Sequence, residues 1–152
     1  MVDECYALGM KPRSILETVL YSSDLDQAVW FYHEVLGLEM PGGKSDLMTY
    51  FRIDDGHVLL IFDPGQSDKP GRGVPSHGAR GPGHIALRIE ESEYDDWKRR
   101  LSLHGVGIEE EIDWGLEEGF SPGRSIYCRD IYGNSVELIT GNIWASITSI
   151  ED

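Results

Sequence analysis

Glu137 lies inside Ser135-Val136-Glu137-Leu138-Ile139, an apolar strand-like run where a carboxylate is costly to bury unless it meets a cation. His84 follows Gly81-Pro82-Gly83 and opens a second such run, His84-Ile85-Ala86-Leu87-Arg88-Ile89. An imidazole there can ligate a metal or carry a proton, or stand as a hydrogen-bonded strand histidine. Glu17, in Ile15-Leu16-Glu17-Thr18-Val19-Leu20-Tyr21, is a third candidate, as a ligand, as a base or as a group projecting into solvent. Ser125, Tyr127 and Arg129 alternate along one strand and so share a face, which would turn a hydroxyl, a phenol and a guanidinium toward a common cavity. Glu109-Glu110-Glu111-Ile112-Asp113-Trp114 sets an aromatic beside acidic residues, a cation-binding rim or a solvated strand end. His57 and His77 have no ligand partner at a telling spacing.

The elements that must position these groups form a repeat of two modules, about 14–63 and about 83–140. Each opens with an alternating strand, and Glu17 and His84 occupy matching places. Asp24 with Gln27, and Ser92 with Asp95, read as helix N-caps. Leu25, Ala28, Val29, Tyr32 and Leu36 mark one apolar helix face, and Tyr94, Trp97 and Leu101 the other. Gly37 and Gly105 stand where each helix needs a left-handed terminal residue. Three strands are expected after each helix: 38–40, 47–53 and 57–63, then 107–112, 124–129 and 135–140. Hairpin turns containing Gly56 and Gly133 align Leu60 with Glu137. The stretch 64–82, rich in Gly and Pro, is expected to be an irregular linker or a loop over the site. The expected architecture is α+β: two tandem βαβββ modules in one domain spanning 1–152, with a cupped mixed sheet and helices outside.

Composition narrows the partners. The chain has 152 residues, 40% of them hydrophobic, and carries 13 Lys+Arg against 27 Asp+Glu for a formal charge of -14. That charge repels phosphate backbones and anionic lipid, so neither nucleic acid nor membrane is an expected partner. No run reaches the roughly 18 apolar residues of a membrane span, and residues 1–13 lack a secretory stretch, so the cytoplasm is the expected compartment. Cys5 and Cys128 show no metal spacing and read as a tail thiol and a small buried hydrophobe. No P-loop, dinucleotide fingerprint or nucleophile elbow appears.

Three strings, S-D-L-D-Q-A-V-W-F-Y-H-E-V-L-G-L, G-P-G-H-I-A-L and R-S-I-Y-C-R-D-I-Y-G-N-S-V-E-L, resemble the vicinal oxygen chelate superfamily over about residues 14–140. That group holds glyoxalase I, extradiol dioxygenases, methylmalonyl-CoA epimerase, fosfomycin-resistance thiol transferases and bleomycin-binding proteins. The resemblance implies metal ligands on the first and last strand of each module, at Glu17, Leu60, His84 and Glu137. Leu60 cannot bind a metal, which leaves Glu17, His84 and Glu137, placed as in the fosfomycin-resistance enzymes except that glutamate stands where histidine is usual. Such a set suits Mn, Fe, Zn or Ni with positions left open for a small substrate with adjacent oxygens. Glu17 and Glu137 are the candidate catalytic groups; Ser125, Tyr127, Arg129 and Trp114 are the candidate substrate contacts. The resemblance further implies lyase, isomerase or transferase chemistry and a homodimer. The competing expectation is a metal-free protein that sequesters a cationic drug or metabolite, as bleomycin-resistance proteins do.

Overall fold

The computed structural model describes residues 10–148, and Cys5 lies outside them. The first module begins with strand β1 (Glu17–Tyr21), where alternation turns Leu20 into the core and leaves Glu17 exposed. Helix α1 (Leu25–Val29) starts as the sequence predicts, with Asp24 accepting a hydrogen bond from the Gln27 amide at 3.1 Å. It widens into π-helical turns over Trp30–Val35, marked by Leu36 N–H reaching back to the Phe31 carbonyl at 3.0 Å. Gly37 then ends the helix with φ 76°, and Gly105 ends the second module's helix with φ 71°.

Strands β2 (Met48–Asp54) and β3 (His57–Phe62) form the hairpin, and the sheet order is β1-β3-β2, with β1 parallel and β2 antiparallel to β3. The expected strand at 38–40 is reduced to a single bridge between Glu39 and Arg52. Pro41, Gly42 and Gly43 follow at once, and a proline without an N–H cannot extend a ladder. The linker is less irregular than its composition suggests. Asp63 accepts from the Gly65 amide at 2.8 Å and Pro64 sits in the first turn of helix α2 (Pro64–Ser67). Its later part lies on the first module, where His77 Nδ1 meets the Tyr21 hydroxyl at 2.8 Å and the ring packs edge-on to Phe62.

In the second module β4 (His84–Arg88) leads to α3 (Tyr94–Leu103), β5 (Glu110–Asp113), β6 (Arg124–Arg129) and β7 (Ser135–Ile139). The order is β4-β7-β6-β5, with β4 parallel to β7 and the other pairs antiparallel. Ser92 does not cap α3: it sits inside a 3-10 turn, Glu91–Glu93, and Glu93 takes the cap position without a side-chain bond. A short helix α4 (Ala145–Thr148) follows the last strand. No helix among the described residues is long and apolar enough to cross a membrane.

One apolar cluster joins both modules, with Phe31, Tyr32 and Val35 of the first packed with Ile126, Cys128 and Val136 of the second. Full burial of a side chain such as Phe31, Val35 or Ile126 contributes about 1.5–3 kcal/mol. A polar hub ties the same elements together. Tyr32 donates to Asp130 at 2.7 Å, and Asn134 donates to Asp130 and to the Tyr21 carbonyl while accepting from the Gly83 amide. Gly83 precedes His84 and Asn134 precedes Ser135, so the hub fixes where β4 begins beside β7.

Candidate functional site

Val136 and Leu138 face the core, so the period-2 alternation of β7 turns Glu137 to the opposite face of the sheet. Glu137 is nevertheless only 5% exposed, because its neighbours cover it. On one side Ser125 Oγ donates to Glu137 Oε1 at 2.5 Å and accepts from the Trp114 indole N–H at 2.8 Å. On the other side His84 Nε2 stands 3.2 Å from Glu137 Oε2. Tyr127, directly across from Glu137 on β6, lies nearly parallel to the His84 ring with centroids 6.2 Å apart. Burial, and after it the adjacent Glu137 carboxylate, push the Tyr127 phenol up to about 12, so it remains a protonated donor at neutral pH.

The geometry assigns the proton on His84. Its Nδ1 lies 3.0 Å from the Ser135 carbonyl, which can only accept, so Nδ1 carries hydrogen. Nε2 then faces a carboxylate oxygen. Two facing lone pairs would repel, so a proton between Nε2 and Oε2 or a cation shared by the two groups would satisfy this approach. That is the arrangement in which a backbone carbonyl orients a ligating histidine.

Residues 14–138 match the Glyoxalase/Bleomycin resistance protein/Dioxygenase superfamily. The chain belongs to this superfamily. Among its relatives is the glutathione transferase FosA of Serratia marcescens, 27% identical over 140 residues, which cover 92% of this chain and 89% of that protein. The metallothiol transferase FosB of Shouchella clausii is 31% identical over 121 residues, 80% of this chain and 75% of that protein. Among solved structures, a lactoylglutathione lyase from Agrobacterium tumefaciens superposes with a TM-score of 0.77 at 36% identity, covering 89% of this chain and 98% of its own. The superfamily thus includes enzymes close in sequence to this chain.

Strand register supports the alignment of the two superfamily modules that the sequence suggested. Glu17 pairs with Val58 as His84 pairs with Ser135, and Val19 pairs with Leu60 as Ala86 pairs with Glu137. Glu17 therefore sits at the place of His84 and Leu60 at the place of Glu137, each on the other sheet. The fold brings together His84, Glu137, Ser125, Tyr127 and Trp114. It does not bring Glu17 to them, and among the described residues no three His, Cys, Asp or Glu side chains are placed to hold a metal. Arg129 is exposed and forks onto Glu109 at 2.7 and 2.8 Å, which holds the Glu109 carboxyl below its usual range. His57 bonds Thr18 at 2.6 Å, and neither His57 nor His77 joins the pair.

The sequence reading missed part of the surroundings. Glu137 lines a cavity of about 230 Å³ together with Ala86, Arg88, Ile139, Asn142, Ile143 and Trp144. The alternation of β4 puts His84, Ala86 and Arg88 on one face, a signal that could have found Arg88. Trp144 lay beyond the repeat and gave no such signal. Its ring meets Phe120 edge-on at 5.2 Å, and Phe120 meets Trp114 at 4.7 Å, so three aromatics connect this cavity to the Ser125 hydrogen bond.

Proposed function

We propose that the chain is a metal-dependent enzyme of the glyoxalase type, acting by lyase, isomerase or transferase chemistry on a small molecule with adjacent oxygens. The observation that carries this reading is the His84 Nε2 to Glu137 Oε2 approach of 3.2 Å, with the other nitrogen of His84 held by a backbone carbonyl. One neutral imidazole nitrogen and one buried carboxylate are suitable donors for Mn, Fe, Zn or Ni. A divalent ion held by His84 and Glu137 would supply charge to an oxyanion developing on the substrate. The remaining side chains have roles that do not depend on which ion is bound. Ser125 orients the Glu137 carboxylate, Trp114 orients Ser125, and the protonated Tyr127 offers a donor toward the open face. Arg129, engaged by Glu109, is at most an outer contact.

Glu17 is the third ligand or base in this proposal, and it is supplied by a second copy of the chain. Its strand β1 and the His84-bearing strand β4 each stand at an open edge of their sheets, so two copies can meet edge to edge. A homodimer is the result. The metal-free binding protein is the second reading, favoured by the partners that Glu137 already has in Ser125 and His84.

Elemental analysis of the purified protein and of Glu17→Ala, His84→Ala and Glu137→Ala decides between them. About one divalent ion per chain is expected, lost in all three variants. Full metal content in Glu137→Ala would overturn the enzyme reading. Retention in Glu17→Ala alone would restrict the site to His84 and Glu137.

A further inference from the structure

Arg88 is an arginine without a partner in a chain where acids outnumber bases by 27 to 13. Arg52, Arg80, Arg99, Arg124 and Arg129 each hold a carboxylate. Arg72 and Arg100 donate to backbone carbonyls. The Arg88 side chain, like that of the exposed Arg13, has neither an ion pair nor a hydrogen bond among the described residues, but Arg88 lines the same cavity as Glu137. An unneutralised guanidinium in a cavity wall is a recognition element for a planar or tetrahedral oxyanion, which its fork of N–H groups binds bidentately.

The rest of that cavity is firmly built. Asn142 accepts from the Trp144 amide at 3.0 Å and donates to Thr148 at 2.8 Å, which fixes the turn carrying the indole. Ser121 N–H bonds the Ile143 carbonyl at 3.0 Å and ties this turn to the segment that bears Phe120. Gly141, at φ 70°, comes so close to the segment below that a Cβ there would stand 2.8 Å from the Pro122 carbonyl oxygen. The cavity thus offers one cation, one carboxylate and one aromatic wall.

We propose that Arg88 anchors an anionic group of the ligand, a carboxylate or a phosphonate, while Trp144 covers the ligand's apolar body. This rests on the reading of Glu137 as the reacting end of the cavity, and it narrows the substrate class to small oxyanions with an apolar part. It also opposes a cationic ligand, because Arg88 would repel one.

The test is calorimetric titration of the full chain, in chelator, with phenylphosphonate, benzoate, neutral benzamide and cationic benzylamine. At least one anion binds saturably, and the tighter of the two identifies the group. Benzamide and benzylamine bind roughly tenfold to a hundredfold more weakly. Arg88→Gln loses the anion preference by the same factor, Arg88→Lys recovers part of it, and both keep the wild-type melting curve because the position is an exposed strand residue. Benzamide or benzylamine binding as tightly as the anions would overturn the proposal. So would anion affinity unchanged in Arg88→Gln, or no anion binding at millimolar concentration. Working in chelator isolates Arg88 from the metal question: metal retained by Glu137→Ala refutes the enzyme reading alone, and anion binding indifferent to Arg88 refutes this inference alone.

Discussion

Replacing Ser125 by alanine removes one oxygen and disturbs two partners. Ser125 is fully buried, and its hydroxyl donates to the Glu137 carboxylate while accepting from Trp114. Without it, Glu137 Oε1 loses a charge-assisted hydrogen bond, which is worth about 1.5–3 kcal/mol, and the indole N–H loses its acceptor at a further cost near 1 kcal/mol. The hole is too small for the apolar term to matter. A destabilisation of about 2–4 kcal/mol follows, or a fall in Tm of roughly 5–15 °C for a chain of this length. Metal affinity should drop by about 10- to 100-fold, as it does when a ligand's orienting partner is lost. The assay is chemical unfolding monitored by tryptophan fluorescence, with a metal titration on the same samples. Adding Glu137→Ala gives the double-mutant cycle, in which the two costs should fall short of additive because each change alone already removes the Ser125–Glu137 bond. Ser125→Ala with wild-type unfolding and wild-type metal affinity would refute the relay from Trp114 to Glu137. Additive costs in the cycle would show that Ser125 acts elsewhere.

Asn134→Ala should cost about 3 kcal/mol in the urea midpoint, because a residue 1% exposed loses side-chain bonds to Asp130, Tyr21 and Gly83; a loss below about 1 kcal/mol would argue against the hub. Burial, helped by the Asp130 charge, pushes the Cys128 thiol up to about 11, and the thiolate is the reactive form. Iodoacetamide at about pH 8 should therefore leave Cys128 unmodified in the native protein and label it fully in denaturant, as read by peptide mass spectrometry. Its labelling should rise only as the pH climbs well past the usual thiol range, and rapid native labelling at pH 8 would mean that β6 opens. Alanine at Gly123 should destabilise strongly, since a Cβ there would stand 2.5 Å from the Thr140 carbonyl oxygen; an unchanged melting curve would show that β6 and β7 can separate at that end.

What the sequence made legible follows from how local each signal is. Strand β6 was expected at 124–129 and is found there, because its alternation is strict and Asp130 to Gly133 close it with a turn. The Asp24 cap was readable because its bond spans three residues. The Ser92 cap failed because a 3-10 turn and an α-helix share the same acidic starting residues, and only packing of Tyr94 and Leu101 decides where the α-helix begins. Helix α2 was hidden in a Pro- and Gly-rich stretch, although Asp63 before Pro64 is a start signal in its own right. The π-turns at Trp30–Val35 have no sequence mark. Trp114 was read as a ligand contact, and its proximity to the site was legible. Its bond to Ser125 was not, since the reach of its indole depends on the 3-10 turn that follows β5.

The two modules are equivalent in register and unequal in chemistry, and the inequality constrains the site. Where the second module carries His84 and Glu137 in adjacent strands, the first carries Glu17 and Leu60 at the same two places. A leucine on β3 cannot ligate an ion, so Glu17 lacks across the sheet the carboxylate that Glu137 provides beside His84. The first module therefore lacks the ligand pair that the proposed metal site uses, and in that proposal its part is to contribute Glu17. Within one described chain Glu17 does not reach His84. If a second copy supplies it, a mixture of Glu17→Ala and Glu137→Ala chains, each unable to bind metal alone, should regain metal binding at one of the two sites of every mixed dimer, about a quarter of all sites when equal amounts exchange at random. Every mixed dimer would then pair one intact Glu17 with one intact His84 and Glu137. Native mass spectrometry of the mixture would show one ion per mixed dimer. A mixture as empty as its two components, in dimers shown to have exchanged subunits, would place all three ligands within one chain.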